Sequence, residues 1–245
     1  MARRKGRVKL MPLSKPYKRC YRIPFFNGNW ISPRSTLDFV SHPKYAQNPE
    51  KYVRTFLLLQ KDIIELFDYI EPSDTNLKCY SHRIHELLMR ACVEFEANCR
   101  AILSENNYPK SIKDLNMDDY KKLDKTHMLS SYEVQIPNWD GTQDKRRPFS
   151  SWATGISPKW WVAYNGTKHN IHAEFQEANL ENLMEAICGL VVILTAQFGR
   201  EDFKSGSLPL TVFKNQPNGT DFTIGDFFWI KTAEWPESGR YEFDW

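Results

Sequence analysis

The stretch Asn179-Leu180-Glu181-Asn182-Leu183-Met184-Glu185-Ala186-Ile187-Cys188-Gly189-Leu190-Val191-Val192-Ile193-Leu194-Thr195 decides the fold. Its Leu180, Leu183, Met184, Ile187, Leu190, Val191 and Leu194 recur every three or four residues, the spacing that gathers side chains on one face of an α-helix. Asn179 stands where a helix cap belongs, and Gly199 where a left-handed stop belongs. This is the most apolar helix of the chain, and a stripe that wide has to lie at the centre of a core. Its longest apolar run, Gly189 to Leu194, sits inside an amphipathic pattern and falls short of a bilayer span, so neither a transmembrane helix nor a membrane partner is expected.

Working outward, three more amphipathic helices are predicted to pack against it. Asn48-Pro49 reads as a capping side chain followed by a proline in the first turn, opening a helix that runs to about Ile70, where Glu71-Pro72 stops it. A second starts between Ser73 and Ser81 and reaches about Glu105, with Ile84, Leu87, Leu88, Ala91, Cys92, Phe95, Cys99, Ile102 and Leu103 as its stripe. Ser157-Pro158 repeats the cap-plus-proline pattern and launches a third, expected to end near Ala173. Gly166 inside it costs about 1 kcal/mol relative to alanine, which points to a close backbone approach or a bend. Residues 106–156 read as a long insertion, with a helical piece at Asn116 to Leu123 and a strand-like alternation of Tyr132, Val134 and Ile136. Beyond Gly206, the alternating Leu208, Leu210 and Val212, the turn Asn218-Gly219, and Phe222 to Ile230 predict a small β appendage. The expected fold is therefore mainly α, an irregular antiparallel four-helix bundle over 48–204 between a basic arm and lead-in, 1–47, and a C-terminal β extension, 205–245.

Charge is unevenly spread. Nine of the 33 Lys and Arg lie in residues 1–22, which hold no acidic residue; the remainder carries 24 basic against 30 acidic side chains, a net −6. An arm with Arg3, Arg4, Lys5, Arg7, Lys9, Lys15, Lys18, Arg19 and Arg22 suits either phosphate neutralisation or solubility, and deleting it separates the two by the salt dependence of binding. The amino terminus has no apolar secretory stretch, so the expected location is cytoplasmic, and the sequons at Asn165 and Asn218 are set aside. Five cysteines without a CxxC pair predict neither a complete disulfide framework nor zinc, and Cys92, Cys99 and Cys188 read as small buried hydrophobes.

On the third helix Asn165, Lys168, His169 and His172 are spaced to share one face. Metal-free RNA cleavage needs a base for the 2′-hydroxyl proton, an acid for the departing oxygen and a cation for the phosphorane charge. A histidine in water titrates near ~6.5, so His169 and His172 suit the first two roles, while Lys168 supplies charge and Asn165 orients. The competing bland readings are a solvated His172, a surface Lys168, and Trp160 and Trp161 as core or interface anchors on either side of the helix.

Three segments carry a family resemblance: Pro148-Phe149-Ser150-Ser151-Trp152; Trp160-Trp161-Val162-Ala163-Tyr164-Asn165-Gly166-Thr167-Lys168-His169; and Phe175 with Ala178-Asn179-Leu180-Glu181-Asn182-Leu183. Together with Arg90 to Glu96 they resemble a bacterial branch of the HEPN superfamily, best from Pro148 to Gly199, excluding the arm and the β tail. The resemblance implies a small helical bundle that homodimerises, RNA as partner, metal-independent ribonuclease activity in toxin, antiphage-defence or RNA-processing systems, and a protein partner or antitoxin. The family's mark is an Arg followed four to six residues later by His. His169 matches the histidine, yet no arginine stands at the required spacing, so Lys168, or Arg83 or Arg90 from another helix, would have to supply the charge.

No paired carboxylates, phosphate-cradling glycine loop or dinucleotide motif is present, and neither metal nor other cofactor is indicated. Two readings remain: an RNA-directed endoribonuclease using His169, Lys168 and Asn165, with Lys159, Arg3, Arg4, Lys5 and Arg7 as nucleic-acid contacts, or a non-catalytic HEPN-like module that binds RNA or protein. Facing copies of the third helix would form the cleft of the expected dimer.

Overall fold

Asn179 starts the central helix as its position predicts, its side-chain oxygen accepting the Asn182 amide at 3.1 Å. In the computed structural model, residues 18–21, 25–26, 29–30, 45–199 and 229–231 are described. They are mainly helical. The four long helices are α1 (Pro49–Leu66), α2 (His82–Glu105), α5 (Lys159–His169) and α7 (Leu180–Phe198). Two short ones, α3 (Met117–Tyr120) and α4 (Leu123–His127), lie between α2 and α5, and α6 (Ile171–Glu174) follows α5. Helix α7 packs against α1, α2 and α5, and α2 packs against α1 and α5. Among the described residues α7 alone has the length and hydropathy of a bilayer span, but 89% of that window is buried inside the protein, which makes it the core helix.

Two of the three proposed caps are made differently from the sequence expectation. Asn48 adopts a left-handed backbone (φ 49°, ψ 49°), so its side chain caps nothing and its carbonyl accepts the Lys51 amide instead. At α5 the cap position is Pro158, not Ser157, and no side chain caps the helix. The first helix also ends at Leu66 rather than Ile70: Phe67 to Ile70 continue only as turns before Pro72. Helix α2 opens on Ser81, whose hydroxyl accepts the Ile84 amide at 3.2 Å.

The segment 106–156 is folded into the core rather than looped outside it. Tyr120, Leu123, Leu129, Val134 and Phe149 are wholly buried. Strand β3 (Glu133–Gln135) pairs antiparallel with β4 (Lys145–Arg146) on one edge and β5 (Trp229–Lys231) on the other. The described part of the predicted C-terminal β region thus completes this sheet, while its other predicted strands, from Leu208 to Phe228, lie outside the described residues. A further two-residue pair joins β1 (Phe25–Phe26) to β2 (Asn29–Trp30).

Arg19 corrects the reading of the basic arm. It is completely buried, and all three guanidinium nitrogens have acceptors: Nε on Glu105 (2.7 Å), Nη1 on Gln197 Oε1 (3.0 Å) and Nη2 on the Gln47 carbonyl (2.6 Å). Gln197 passes the network on to Asn98 at 2.8 Å. His127, also fully buried, lies with Nε2 2.8 Å from the Arg19 carbonyl; since a carbonyl only accepts, Nε2 carries the proton. A charge locked in this way is a piece of the core and not a phosphate contact. Removing residues 1–22 would extract it along with the arm.

Candidate functional site

Helix α5 is fixed by its two tryptophans. Trp160 and Trp161 are both buried, their rings 6.0 Å apart and packed against Phe95 of α2. The Trp160 indole donates to the Pro148 carbonyl at 3.1 Å, and its ring fills the space over Gly189, where a Cβ would come within 3.2 Å. Gly189 therefore has a packing reason to be glycine. Of the core and interface roles expected for the pair, the core one is seen: both rings anchor α5 to its own interior.

The polar stripe comes only partly together. Helix α5 ends at His169, because Asn170 leaves helical geometry (φ −144°, ψ 60°) and α6 starts a new direction. His172 consequently belongs to a separate short helix and does not continue the stripe of Asn165, Lys168 and His169. The cause of the turn lies downstream: the Phe175 ring packs on His82 (4.6 Å), Tyr80 (5.5 Å) and His85 (6.3 Å), drawing the chain back toward the start of α2. Burial, followed by the neighbouring His82, holds the His85 imidazole below its ordinary pKa. Gly166 permits neither of the expected devices. A Cβ there would meet Glu174 at an ordinary 3.5 Å, and the helix continues through it unbroken.

His169 is exposed, and among the described residues its side chain makes no hydrogen bond or ion pair. Lys168 is exposed as well and reaches back to its own helix, its Nζ 3.2 Å from the Tyr164 hydroxyl and 5.2 Å from the centre of that ring. The arginines considered as charge partners are engaged elsewhere: Arg90 pairs with Asp62, and Arg83 pairs with Asp62 at 3.4 Å and Glu86 at 2.9 Å. Asn165 is half-buried and faces a different place from His169.

That place is a groove of about 1480 Å³ running along α5 between the β3–β4 hairpin and the start of α7. Asn165 and Lys159 line it, with Lys145, Arg146 and Arg147 from the hairpin and Glu181 and Glu185 from α7. Lys145, Arg147 and Lys159 are exposed; Lys78, a fifth cation on the wall, is paired with Glu181 at 2.5 Å. The acidic wall also includes Glu174 and Glu177. Burial pushes the Glu185 carboxyl upward, opposed by the charge and hydrogen bond of Arg146.

The hairpin's outer loop is held by Asp74. Its carboxylate accepts the Trp139 indole N–H (2.7 Å), the Thr142 amide (2.7 Å) and hydroxyl (3.0 Å), and the Gln143 amide (3.1 Å). These bonds, the Trp139 indole first, lower its pKa to about 2. Gly141 crosses directly above at φ 133°, where a Cβ would overlap the carboxyl carbon at 2.3 Å.

Sequence reasoning found Asn165 and Lys159 but not Arg146 or Asp74. Lys145-Arg146-Arg147 is a visible basic run, yet nothing in its spacing says that the middle residue turns inward. Arg3, Arg4, Lys5 and Arg7 lie outside the described residues. Among those described, no group of three or more His, Cys, Asp or Glu is placed to hold a metal ion. Cys92, Cys99 and Cys188 are buried thiols whose pKa burial raises, poor nucleophiles by that measure. No protein-family model, curated protein or solved structure matches the chain.

Proposed function

We propose that this chain is an RNA-directed, HEPN-like helical module that binds the RNA backbone in the groove beside α5. The observation that carries the reading is the exposed set Lys145, Arg147 and Lys159 around a groove to which Asn165 adds a neutral hydrogen-bonding group. Exposed lysines and arginines neutralise phosphates by counterion release, and a half-buried amide adds direction to that contact. The exclusion of Lys168 and His169 from the groove favours binding over cleavage as its primary role. The test is fluorescence anisotropy with a labelled single-stranded oligoribonucleotide. Lys159→Glu combined with Arg147→Glu is expected to weaken binding at least tenfold and to flatten its salt dependence; unchanged affinity would remove the groove from RNA recognition.

A second reading, metal-independent cleavage in a defence or toxin setting, is favoured by one feature: His169 is open to solvent and, among the described residues, has no hydrogen-bond or ion-pair partner to occupy it. In that reading a second copy of the chain, or a protein partner, brings the arginine that is missing at the expected spacing before His169 and adds it to Lys168. Incubation with total RNA in EDTA decides it: products lost in His169→Ala support an enzyme, and intact RNA with wild-type protein leaves the binding module.

A further inference from the structure

Arg146 is 4% exposed, and its guanidinium is only half used. The guanidinium carbon lies over the Trp139 ring, 5.1 Å from its centre, while Nη1 is shared between Gln143 Oε1 at 3.2 Å and Glu185 at 3.4 Å. Nε and Nη2 are buried and, among the described residues, meet no acceptor. A buried charged donor left unpaired is costly, which is why such groups in folded proteins generally have an acceptor from the chain, from solvent or from a ligand. The two idle nitrogens are moreover those of the side-on edge, whose parallel N–H bonds match two oxygens of one oxyanion.

The neighbourhood points the same way. Ser151, which lines the same groove, has a buried hydroxyl without a partner among the described residues. Lys145 and Arg147, flanking Arg146 in sequence, stand exposed at the groove with Lys159. Glu185 is the internal competitor: it reaches only Nη1, at a long 3.4 Å.

We infer that Arg146 is the floor of a phosphate subsite, its Nε and Nη2 donating to two oxygens of one phosphate while Lys145, Arg147 and Lys159 balance the remaining charge. The inference rests on the groove being a phosphate-binding surface, as in the RNA reading, and adds the residue that gives one phosphate a fixed position. Lysine at this position keeps the charge but loses the fork, so Arg146→Lys separates recognition from attraction.

The experiment is calorimetric titration of the full chain with inorganic phosphate, followed by the same oligoribonucleotide carrying a 5′-phosphate or a 5′-hydroxyl. Wild-type protein is expected to bind inorganic phosphate saturably, Arg146→Lys about tenfold more weakly, and Glu185→Gln about threefold more tightly because the internal acceptor is weakened. Should Arg146→Lys fail to fold, Glu185→Gln decides, and unchanged or weaker phosphate binding in it overturns the subsite. Absence of saturable phosphate binding by folded wild-type protein does so too. Phosphate binding without RNA binding keeps the subsite and removes the RNA reading. RNA binding that Arg146→Lys leaves unaltered does the reverse, and a preference for the 5′-phosphorylated strand assigns the subsite to a terminal phosphate rather than to the backbone.

Discussion

Among the described residues two arginines are buried, and they are treated in opposite ways. Arg19 gives every guanidinium nitrogen to an acceptor of the chain itself, whereas Arg146 spends one nitrogen on two long contacts and leaves the other two idle. Both are shielded from water and both lie over aromatic rings, Tyr52 and Phe198 for Arg19 and Trp139 for Arg146. Burial therefore does not by itself separate a structural cation from a functional one. The distinction lies in how many of the donors the fold has already satisfied.

The largest expected effect tests that distinction directly. Arg19→Ala strands Glu105, Gln197 and the Gln47 carbonyl and is expected to cost about 3–5 kcal/mol in urea denaturation. Arg146→Ala releases only weakly held partners and is expected to cost about 1–2 kcal/mol. A larger loss at Arg146 than at Arg19 would break the comparison.

Next comes the loop that presents Arg146. Asp74 holds Trp139 and the Gln143 amide, and those two residues in turn stack on and accept from the guanidinium. Gly141→Ala puts a side chain into the Asp74 carboxylate at a backbone angle that only glycine adopts easily, and is expected to cost about 2–3 kcal/mol while weakening phosphate binding. The same substitution should leave the environment of Arg19 unchanged, which amide exchange of the 45–48 and 195–198 segments would report.

A smaller effect appears at acid pH. Because the folded-state pKa of Asp74 is depressed to about 2 from an ordinary 3.8, its contribution is fully present above about pH 4 and is lost as pH falls toward 2. Asp119 behaves alike: burial raises its pKa, but Lys110, Tyr108 and the Asn116 amide outweigh this and bring it to about 2. Asp74→Asn should flatten part of the slope of stability between pH 4 and 2, read from thermal melts. An unaltered slope would mean that the loop does not depend on the Asp74 charge.

The smallest expected effect is a gain. Gly166→Ala meets only the side chain of Glu174 at 3.5 Å in a helix interior, so it is expected to stabilise by about 0.5–1 kcal/mol. A loss at this position would show that α5 needs a close approach the structure does not contain.

What the sequence disclosed followed from periodicity. The stripes of α1, α2 and α7 are set by three- and four-residue spacing, and their buried faces match it at Phe56, Leu59 and Ile63, at Ile84, Leu88 and Phe95, and at Leu183, Ile187 and Leu194. Tyr132, Val134 and Ile136 are all buried, in line with a period of two. Contacts made across long separations were not legible. Nothing near Phe175 says that it will pack on His82 and end α5 at His169, and nothing near Arg19 names Glu105 or Gln197 as its partners. The candidate site divided for the same reason: Asn165 and His169 are one helical turn apart, but the hairpin that makes the groove arrives from residues 133–146 and covers only the Asn165 end.

The break at Asn170 also gives α5 two unlike poles. An α-helix carries roughly half a positive charge at its amino end and half a negative charge at its carboxyl end. Lys168 stands in the last turn, where its charge offsets the carbonyls left open by the break, with His169 beside it, while Lys159 adds to the positive end. An anion drifting along this helix is drawn toward Lys159 and the hairpin. The two poles are separated by about 15 Å at the rise of an α-helix, so only a ligand extending well beyond one phosphate group touches both. Length of the bound molecule, more than its chemistry, then sets whether His169 takes any part.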